Sequence, residues 1–290
     1  MIQLKNVYKD FDKKPILKNI NFNIEPGTIV GLVGVNGAGK STLLRTIMGI
    51  YSPNSGEILF ENKSIENNPE LKEFIGYVAD KNEYFNKFYP KSILRQYELT
   101  YKNFDMNKFY ELNKTFNAPL NSKLEKLSKG NVAKVFFMLA LSINPKLLVL
   151  DEPTSGLDPI AKRNFLKMLV DEVYENKTTV LISSHNLNDL EAICDKIIFI
   201  DNGEIVENNS LDNLKSEMKK LQVIFKDKAP SDFNKWPEFI AVEKFGKSYN
   251  VITSNYSERL INKLNDSGAL FIEELDLTLE DMLVYKMENK

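Results

Sequence analysis

The chain has 290 residues, of which 43% are hydrophobic and 27% charged, and its formal net charge is -2. This length suffices for one large domain and a small one, and the ordinary composition excludes a disordered chain. The near-neutral charge argues against a nucleic-acid-binding protein, which usually carries a basic excess on one face. The single cysteine, Cys194, excludes an intramolecular disulfide and is consistent with a reducing compartment.

The first 25 residues alternate apolar and polar side chains, which predicts short strands of a half-exposed antiparallel sheet. After the turn at Pro26-Gly27, the apolar run 29–33 predicts a strand buried on both faces. This strand leads into a glycine-rich loop and a helix over 41–49. Two further strands are expected at 57–60 and 75–79.

From about residue 84 to 143 the apolar residues follow a helical spacing, which predicts an inserted helical subdomain. A parallel-sheet pattern then resumes, and Asp201-Asn202-Gly203-Glu204 is typical of a tight hairpin turn. The strands of this part are predicted at 147–150, 179–182 and 196–200, with helices at 159–175 and 187–193.

The pattern changes again after about residue 219, where strand-like segments and a helix predict a small α+β domain. A closing helix is expected over 279–287. We therefore predict an α/β domain over 1–218 and an accessory α+β domain over 219–290. The accessory domain carries no recognisable chemistry, so a regulatory or dimer-bracing role and a passive extension both stay open.

The segment Gly34-Val35-Asn36-Gly37-Ala38-Gly39-Lys40-Ser41-Thr42 matches the phosphate-binding loop (P-loop) pattern of Gly, four residues, and Gly-Lys-Ser/Thr. The glycines let backbone N–H groups point inward, and the following helix adds unpaired donors and a positive dipole end. Lys40 would neutralise the β- and γ-phosphates, the Ser41 hydroxyl would bind Mg²⁺, and Thr42 would add a contact to phosphate. A chance glycine turn is the alternative, and the predicted strand before and helix after the loop favour the nucleotide site. The loop residues assigned to nucleotide binding are Gly34, Asn36, Gly37, Ala38, Gly39, Lys40, Ser41 and Thr42.

Two acidic residues, Asp151 and Glu152, directly follow the predicted buried strand at 147–150. Open α/β sheets bind their ligands at this edge. Asp151 would hold Mg²⁺ through water, and Glu152 would polarise the attacking water as general base. Acidic residues also follow strands in ordinary turns, so this pair alone does not indicate a site. The P-loop upstream is what favours the assignment to nucleotide hydrolysis.

Several further segments of residues 1–210 resemble the ABC (ATP-binding cassette) ATPase family and follow that family's order. Leu127-Ser128-Lys129-Gly130-Asn131 stands where the LSGGQ signature belongs, and Ser155-Gly156-Leu157-Asp158 resembles the D-loop. Ser183-Ser184-His185 resembles the switch-histidine motif, and Phe11 occupies the aromatic position that stacks on adenine. A lone histidine is more often structural, and an aromatic residue near a strand end is usually part of the core.

The resemblance implies an ABC ATPase core with a mixed sheet, an antiparallel β subdomain and a helical subdomain. Such a core binds ATP and Mg²⁺ and hydrolyses ATP, with His185 contacting the γ-phosphate and orienting the attacking water. It implies further that two subunits pair head to tail. Ser128 and Gly130 of one subunit would then close over the ATP of the other, and Asp158 of the D-loop is assigned to the same site.

Two residues depart from the family pattern. Lys129 replaces a glycine of the signature, and Asp80 stands where the glutamine of the Q-loop is expected. An ionised carboxylate cannot donate a hydrogen bond, but Asp80 could still reach Mg²⁺ or its water. Both variants look like those of bacterial single-cassette ATPases that export antibiotics, lantibiotics or membrane-active peptides. The narrowest resemblance is to exporter ATPases for phenol-soluble modulins.

The resemblance also implies partners. No apolar run approaches the roughly 20 residues of a membrane helix, and the first residues show no secretory signal pattern. We expect a cytoplasmic chain on the inner face of the cell membrane, bound to a separate permease and to a second ATPase subunit, either identical or a sister chain. Tyr84, Phe85, Phe88 and Tyr89 either dock that permease or pack within the helical subdomain.

The expected function is therefore ATP-driven export of a peptide or hydrophobic compound. One alternative is an immunity or sensing module that acts on a membrane partner without bulk transport. Another is a soluble ABC ATPase that acts on translation or DNA. The single cassette and the missing basic excess disfavour this last alternative.

Overall fold

The computed structural model describes residues 1–288, except for the side chains at 217, 284 and 286–288. The chain divides into two compact units, Met1–Asn208 and Asn209–Lys290. This division falls between residues 208 and 209, whereas the predicted domain boundary lies between 218 and 219, because the helix over Leu211–Glu217 belongs to the second unit. The assignment of functional domains stays a prediction.

The first unit consists of strands interrupted by helices. Its strands are β1 (Ile2–Phe11), β2 (Lys14–Ile24), β3 (Ile29–Val33), β4 (Ser55–Phe60), β5 (Lys63–Ser64), β6 (Ile75–Val78), β7 (Leu147–Asp151), β8 (Thr179–Ser183), β9 (Lys196–Asp201) and β10 (Glu204–Ser210), whose last residues belong to the second unit. Its helices are α1 (Lys40–Ile47), α2 (Pro90–Thr100), α3 (Met106–Phe116), α4 (Lys129–Ser142), α5 (Pro159–Asn176) and α6 (Leu187–Ile193). Short 3₁₀ turns lie at Pro69–Phe74, Glu83–Phe85 and Leu124–Lys126.

The central sheet has six strands in the order β10-β9-β3-β8-β7-β6. Strands β3, β6, β7, β8 and β9 run parallel, and the hairpin at 202–203 turns β10 back, so the sheet is mixed. Every residue of β3, β7 and β8 is buried, as the continuous apolar runs predict. Because these strands are parallel, the segments that follow them emerge at one edge.

The second sheet of this unit is antiparallel, with the order β2-β1-β4-β5. Its buried residues alternate with exposed ones, because one face packs on the core and the other meets solvent. Ile2, Leu17 and Phe60 of this sheet share one buried cluster with Leu43 of α1 and Val149 of the central sheet. The P-loop helix is therefore packed within the core that joins the two sheets.

Helices α2, α3 and α4 form the predicted helical subdomain between β6 and β7. An ion pair ties it to the rest of the unit, because Lys108 Nζ of α3 lies 3.0 Å from Glu172 Oε2 of α5. Phe137 of α4 also packs on Phe165 of α5, with 3.9 Å between ring centroids.

The second unit contains a four-stranded sheet with the order β12-β13-β11-β14. Its core includes Trp236, whose ring stacks on Phe239 at 5.4 Å and lies 4.0 Å from Lys263 Nζ. The predicted α+β pattern and the closing helix agree with these elements. The elements are α7 (Leu211–Glu217), β11 (Lys219–Phe225), a 3₁₀ turn at Phe233–Lys235, β12 (Phe239–Phe245), β13 (Ser248–Thr253), α8 (Glu258–Asp266), β14 (Ala269–Leu275) and α9 (Leu279–Glu288).

Within residues 1–288, none of the helices combines the length and the apolar character that crossing a membrane requires.

Candidate nucleotide-binding site

The P-loop connects the end of β3 to the start of α1, so its backbone wraps the amino-terminal end of a helix. Lys40 is the first residue of that helix and is only 8% exposed. Its ammonium group donates to the carbonyl oxygens of Gly34 at 2.6 Å and Val35 at 3.3 Å. The side chain therefore lies inside the loop and places a positive charge at the amino-terminal end of α1. This arrangement suits a polyanionic ligand such as a phosphate chain.

The rest of the P-loop has an exposed and a buried part. Val35, Asn36 and Gly37 are exposed, whereas Ala38 and Gly39 are buried. Ser41 and Thr42 follow on the first turn of α1, and both are partly exposed. The exposed part is accessible to a ligand from solvent.

The hairpin turn between β9 and β10 is hydrogen-bonded to the P-loop. The Gly203 N–H donates to the Ala38 carbonyl at 3.0 Å, and the Lys18 N–H donates to the Gly203 carbonyl at 2.7 Å. Gly203 has a φ of 81°, and a Cβ at this position would lie 2.2 Å from the Ile16 carbonyl oxygen. Only glycine meets both requirements. The turn therefore joins the P-loop to β2.

Asp151 ends β7 and is fully buried. Its Oδ1 atom accepts hydrogen bonds from the Ser183 hydroxyl at 2.8 Å and the Ser41 hydroxyl at 3.2 Å. Its Oδ2 atom is buried and has no hydrogen-bond partner among the described residues. Burial raises the pKa of Asp151, the two serine hydroxyls oppose this shift, and the charge of Asp80 raises the pKa further.

Glu152 follows Asp151 in a left-handed backbone conformation, with a φ of 50°. Its N–H donates to the Ser183 hydroxyl at 3.0 Å, so Ser183 contacts both acidic residues. Its Oε2 atom lies 2.6 Å from His185 Nδ1 and also accepts the His185 backbone N–H at 3.2 Å. Nδ1 must carry a proton to donate to this carboxylate. The only histidine of the chain thus holds the carboxylate that is predicted to be the general base.

The signature segment packs against the D-loop of the same chain. Ser128 caps α4, because its hydroxyl accepts the Asn131 N–H at 3.3 Å. A Cβ at Gly130 would lie 2.4 Å from the Gly156 carbonyl oxygen, so this close approach requires glycine. The Lys129 ammonium group lies 2.7 Å from Asp80 Oδ1 and donates to the Ser155 hydroxyl at 3.0 Å. Lys129 and Asp80, the two residues that depart from the family pattern, therefore contact each other.

Asp158 caps α5. Its Oδ1 atom accepts the N–H groups of Ile160 at 3.0 Å and Ala161 at 2.9 Å. These hydrogen bonds, the one from Ala161 first, lower the pKa of Asp158. The observed role of Asp158 within one chain is thus to start a helix, and its predicted contact with nucleotide stays a prediction.

Phe11 lies at the end of β1 and is 39% exposed, so it is not a core residue. Its ring packs edge-to-face on Tyr51 at 5.0 Å, and Lys9 Nζ lies 5.0 Å from the ring centroid. The ring therefore retains exposed surface on which a flat base can stack.

Sequence reasoning missed three features of this site. It did not assign the bridging role of Ser183, the support of Phe11 by Tyr51, or the ion pair between Lys129 and Asp80. Ser183 stands in the switch-histidine segment at the end of a buried strand, which places it at the edge of the sheet but does not identify the residues that it contacts. The other two features depend on tertiary packing and leave no local pattern.

Comparison with known proteins identifies the family. The family model described as "ABC transporter" matches residues 17–155. YtrB, an ABC transporter ATP-binding protein of Bacillus subtilis, is 32% identical over 293 residues, which cover 100% of this chain and 99% of YtrB. The chain belongs to the ABC transporter ATP-binding family. It is accordingly an ATP-binding subunit of the ABC type and an ATPase.

Other ABC relatives match most of the chain. The zinc import ATP-binding protein ZnuC of Buchnera aphidicola is 38% identical over 69% of this chain and 81% of its own length. The lantibiotic transport ATP-binding protein SrtF of Streptococcus pyogenes is 31% identical over 78% of this chain and 98% of its own length. Relatives named for import and for lantibiotic transport thus share this ABC ATPase core.

A solved ABC structure has the same fold. The ATP-binding cassette MJ0796, in a dimeric post-hydrolysis state bound to ADP and Pi, superposes with a TM-score of 0.64 and 26% identity. The match covers 73% of this chain and 99% of MJ0796. These comparisons confirm the predicted ABC ATPase fold and do not favour a soluble role in translation or on DNA. The resemblance to phenol-soluble modulin exporters stays a prediction.

Proposed function

We propose that this ABC ATPase drives export of a peptide or hydrophobic compound through a separate permease, and that two copies enclose two ATP molecules. The observation that carries the catalytic part is the 2.6 Å contact of Glu152 with His185 beside the buried Asp151. The name of SrtF, a lantibiotic transport protein, supports the choice of cargo. The dimeric state of MJ0796 supports the pairing.

ATP would bind along the P-loop with its base on Phe11. The N–H groups of residues 34–42 and the Lys40 ammonium group would hold the phosphates. Lys40 would then exchange its loop carbonyl partners for phosphate oxygens, which are stronger acceptors because they are charged. Phe11 would contribute stacking on adenine, supported from the side by Tyr51.

The residues around Asp151 fit a Mg²⁺ ion. Among the described residues, the buried Asp151 Oδ2 atom has no hydrogen-bond partner, and the Oδ1 atom of the same carboxylate contacts the Ser41 hydroxyl. Oxygen atoms are the ligands that Mg²⁺ prefers. We assign Ser41, Asp151 and Asp80 to this ion, the aspartates directly or through water. When bound, the ion would neutralise charge on the phosphates.

Glu152 would accept a hydrogen bond from the attacking water and take its proton as the water oxygen bonds to the γ-phosphorus. The bond from the γ-phosphorus to the bridging oxygen would break in the same reaction, so that ADP leaves with that oxygen and phosphate is released. His185 orients this carboxylate through its Nδ1 and backbone N–H groups, and its ring is assigned to the γ-phosphate. The side chain of Glu152 is 17% exposed, whereas that of His185 is 66% exposed. We attribute the exposed position of His185 to a site that becomes complete only when a second subunit covers it.

The second subunit would be another copy of this chain, because one chain carries every residue of both half-sites. Ser128 and Gly130 at the start of α4 would close over the ATP of the partner, with Asp158 nearby. The start of a helix favours a negatively charged ligand, which suits a γ-phosphate. A sister ATPase is the other candidate for this position.

The permease would dock on the segment after β6. Tyr84 is 83% exposed there, and Phe88 and Tyr89 are also exposed. Phe85 packs on Phe136 of α4 at 5.5 Å, so one aromatic residue anchors the segment and three face solvent. An exposed aromatic cluster of this kind is typical of a protein interface. It would hold the ATPase at the inner face of the cell membrane.

The variant Glu152→Gln tests the catalytic assignment. It keeps the shape of the side chain but cannot accept a proton, so we expect hydrolysis to fall by about 100-fold or more. Purified variant with Mg²⁺ and ATP should elute as a dimer in size-exclusion chromatography, because uncleaved ATP bridges the subunits. Lys40→Ala added to this variant is the control and should abolish the dimer. Hydrolysis by Glu152→Gln at the wild-type rate would refute the role of Glu152.

Export itself is tested with the permease that co-purifies with the chain. Inside-out vesicles that contain both proteins should accumulate a labelled substrate when ATP is added outside. Vesicles with the Glu152→Gln chain should not. ATP-stimulated movement in the opposite direction would contradict export while leaving the ATPase assignment intact.

A further inference from the structure

Asp80 emerges at the same edge of the central sheet as Asp151. It lies two residues after β6, and β6 pairs in parallel with β7 so that Val78 faces Leu150. Asp151 is one residue beyond Leu150 and Asp80 is two residues beyond Val78, and adjacent strands lie only about 4.8 Å apart, so the two aspartates leave the sheet close together. The charge of Asp80 accordingly raises the pKa of Asp151.

Lys129 approaches Asp80 from another part of the chain. It is the first residue of α4, and its aliphatic stem lies along Gly156, where an added Cβ would meet Lys129 Cβ at 3.3 Å. Its ammonium group ends 2.7 Å from Asp80 Oδ1 and 3.0 Å from the Ser155 hydroxyl. One cation thus joins the segment after β6, the D-loop and the start of α4.

This ion pair balances charges that would otherwise repel. Asp80 and Asp151 are two carboxylates at one sheet edge, and Lys129 neutralises the more exposed of them. The Lys129 side chain is 51% exposed and that of Asp80 is 30% exposed, so the pair is partly screened and can exchange partners. A divalent cation at Asp151 would attract the same Asp80 carboxylate.

We infer that Lys129 is a positioning residue that holds Asp80 while ATP is absent, and that a nucleotide-bound divalent cation competes with its ammonium group for the Asp80 carboxylate. Because this cation arrives with ATP, the step rests on the proposed function. The exchange would free Lys129 from Asp80 and loosen the start of α4 from the segment after β6. The two departures from the family pattern would then act as one matched pair.

Binding of Mn²⁺ tests this competition without relying on turnover. The full-length Glu152→Gln chain would first be loaded with ATP and separated from unbound nucleotide, because ATP in solution itself chelates Mn²⁺. This complex would then be titrated with Mn²⁺, and free Mn²⁺ followed by electron paramagnetic resonance. Lys129→Met should lower the half-saturating Mn²⁺ concentration by about twofold to fivefold, the range expected for losing a half-exposed ion pair. Lys129→Arg should leave it unchanged. Lys126→Met, which removes an exposed lysine three residues earlier, is the matched control and should also leave it unchanged.

Asp80→Asn separates competition from a general effect of charge. This change should raise the half-saturating Mn²⁺ concentration, and Lys129→Met should have little further effect in its presence, because the contested carboxylate is gone. An unchanged or weaker affinity in Lys129→Met would overturn the inference. So would an equal effect of Lys129→Met with and without Asp80. Absence of ATP-dependent Mn²⁺ binding in the Glu152→Gln parent would instead refute the proposed cation site.

Discussion

At the scale of single residues, Glu152 and His185 form the contact on which the catalytic assignment depends. Glu152 has a positive φ, which is uncommon for a residue other than glycine and is often found at functional sites. This conformation turns the carboxylate toward His185 while the backbone N–H remains bonded to Ser183. At the end of β7, the carboxylate of Asp151 therefore contacts Ser183 and Ser41, whereas that of Glu152 contacts His185.

His185→Ala should slow hydrolysis by about 100-fold, because Glu152 loses the group that orients it. Affinity for ATP should change little, since the P-loop and Phe11 are untouched. Single-turnover hydrolysis and equilibrium binding of a fluorescent ATP analogue measure the two effects separately. If affinity and turnover fell together, His185 would be a structural residue.

Ser183 marks the limit of what residue types and their spacing predict about this site. The P-loop and the Asp151-Glu152 pair were found because their chemistry is tied to a fixed spacing. Ser183 contacts Asp151 and Glu152 across the parallel pairing of β7 with β8, where Asp151 faces Ser183. A contact between residues 32 positions apart depends on strand register, which the sequence alone does not specify.

At the scale of elements, the hydrophobic patterns predicted most strands and helices because burial imposes their periods. The continuous apolar runs of β3, β7 and β8 predicted strands buried on both faces, which is what the sheet shows. The packing of α4 against the D-loop was not predicted, since it depends on a close approach between Gly130 and Gly156. The sequence did not decide whether the aromatic residues after β6 dock a partner or pack within the helical subdomain. Only the structure distinguishes the half-buried Phe85 from the exposed Tyr84.

The ion pair between α3 and α5 gives a prediction about stability. Glu172 is buried, and its carboxylate contacts Lys108 and the Thr178 hydroxyl. Lys108→Met should lower the free energy of unfolding by about 2 kcal/mol, because it leaves a buried charge with one partner fewer. Urea denaturation followed by circular dichroism measures this loss.

Lys114→Met is the matched control on the same helix. Lys114 pairs with Glu111, but both side chains are largely exposed. Its loss should change the free energy of unfolding by less than about 0.5 kcal/mol. Equal effects of the two changes would show that the pair between α3 and α5 contributes no more than a surface contact.

At the scale of the whole molecule, the chain has two compact units with separate hydrophobic clusters. Trp236, the only tryptophan of the chain, lies in the cluster of the second unit. Its fluorescence therefore reports on that unit, whereas the nucleotide site lies in the first.

A non-hydrolysable ATP analogue should raise the unfolding temperature of the first unit by about 5–10 °C at 100 times its Kd. The midpoint measured by Trp236 fluorescence should stay unchanged. Differential scanning calorimetry and fluorescence, recorded on the same sample, make the comparison. Lys40→Ala should remove the calorimetric shift. A parallel shift of both midpoints would mean that the two units unfold together.

The turn at Gly203 indicates that substitutions distant from the P-loop in sequence can weaken nucleotide affinity. Its N–H and carbonyl groups connect the P-loop to β2 of the antiparallel sheet, although the turn lies far along the chain from both. A genetic screen for weak nucleotide affinity should therefore recover substitutions at position 203 as well as in the loop itself. Such substitutions would be suppressed by changes that relax the neighbouring strand around Ile16, and no change in the reacting groups would be needed.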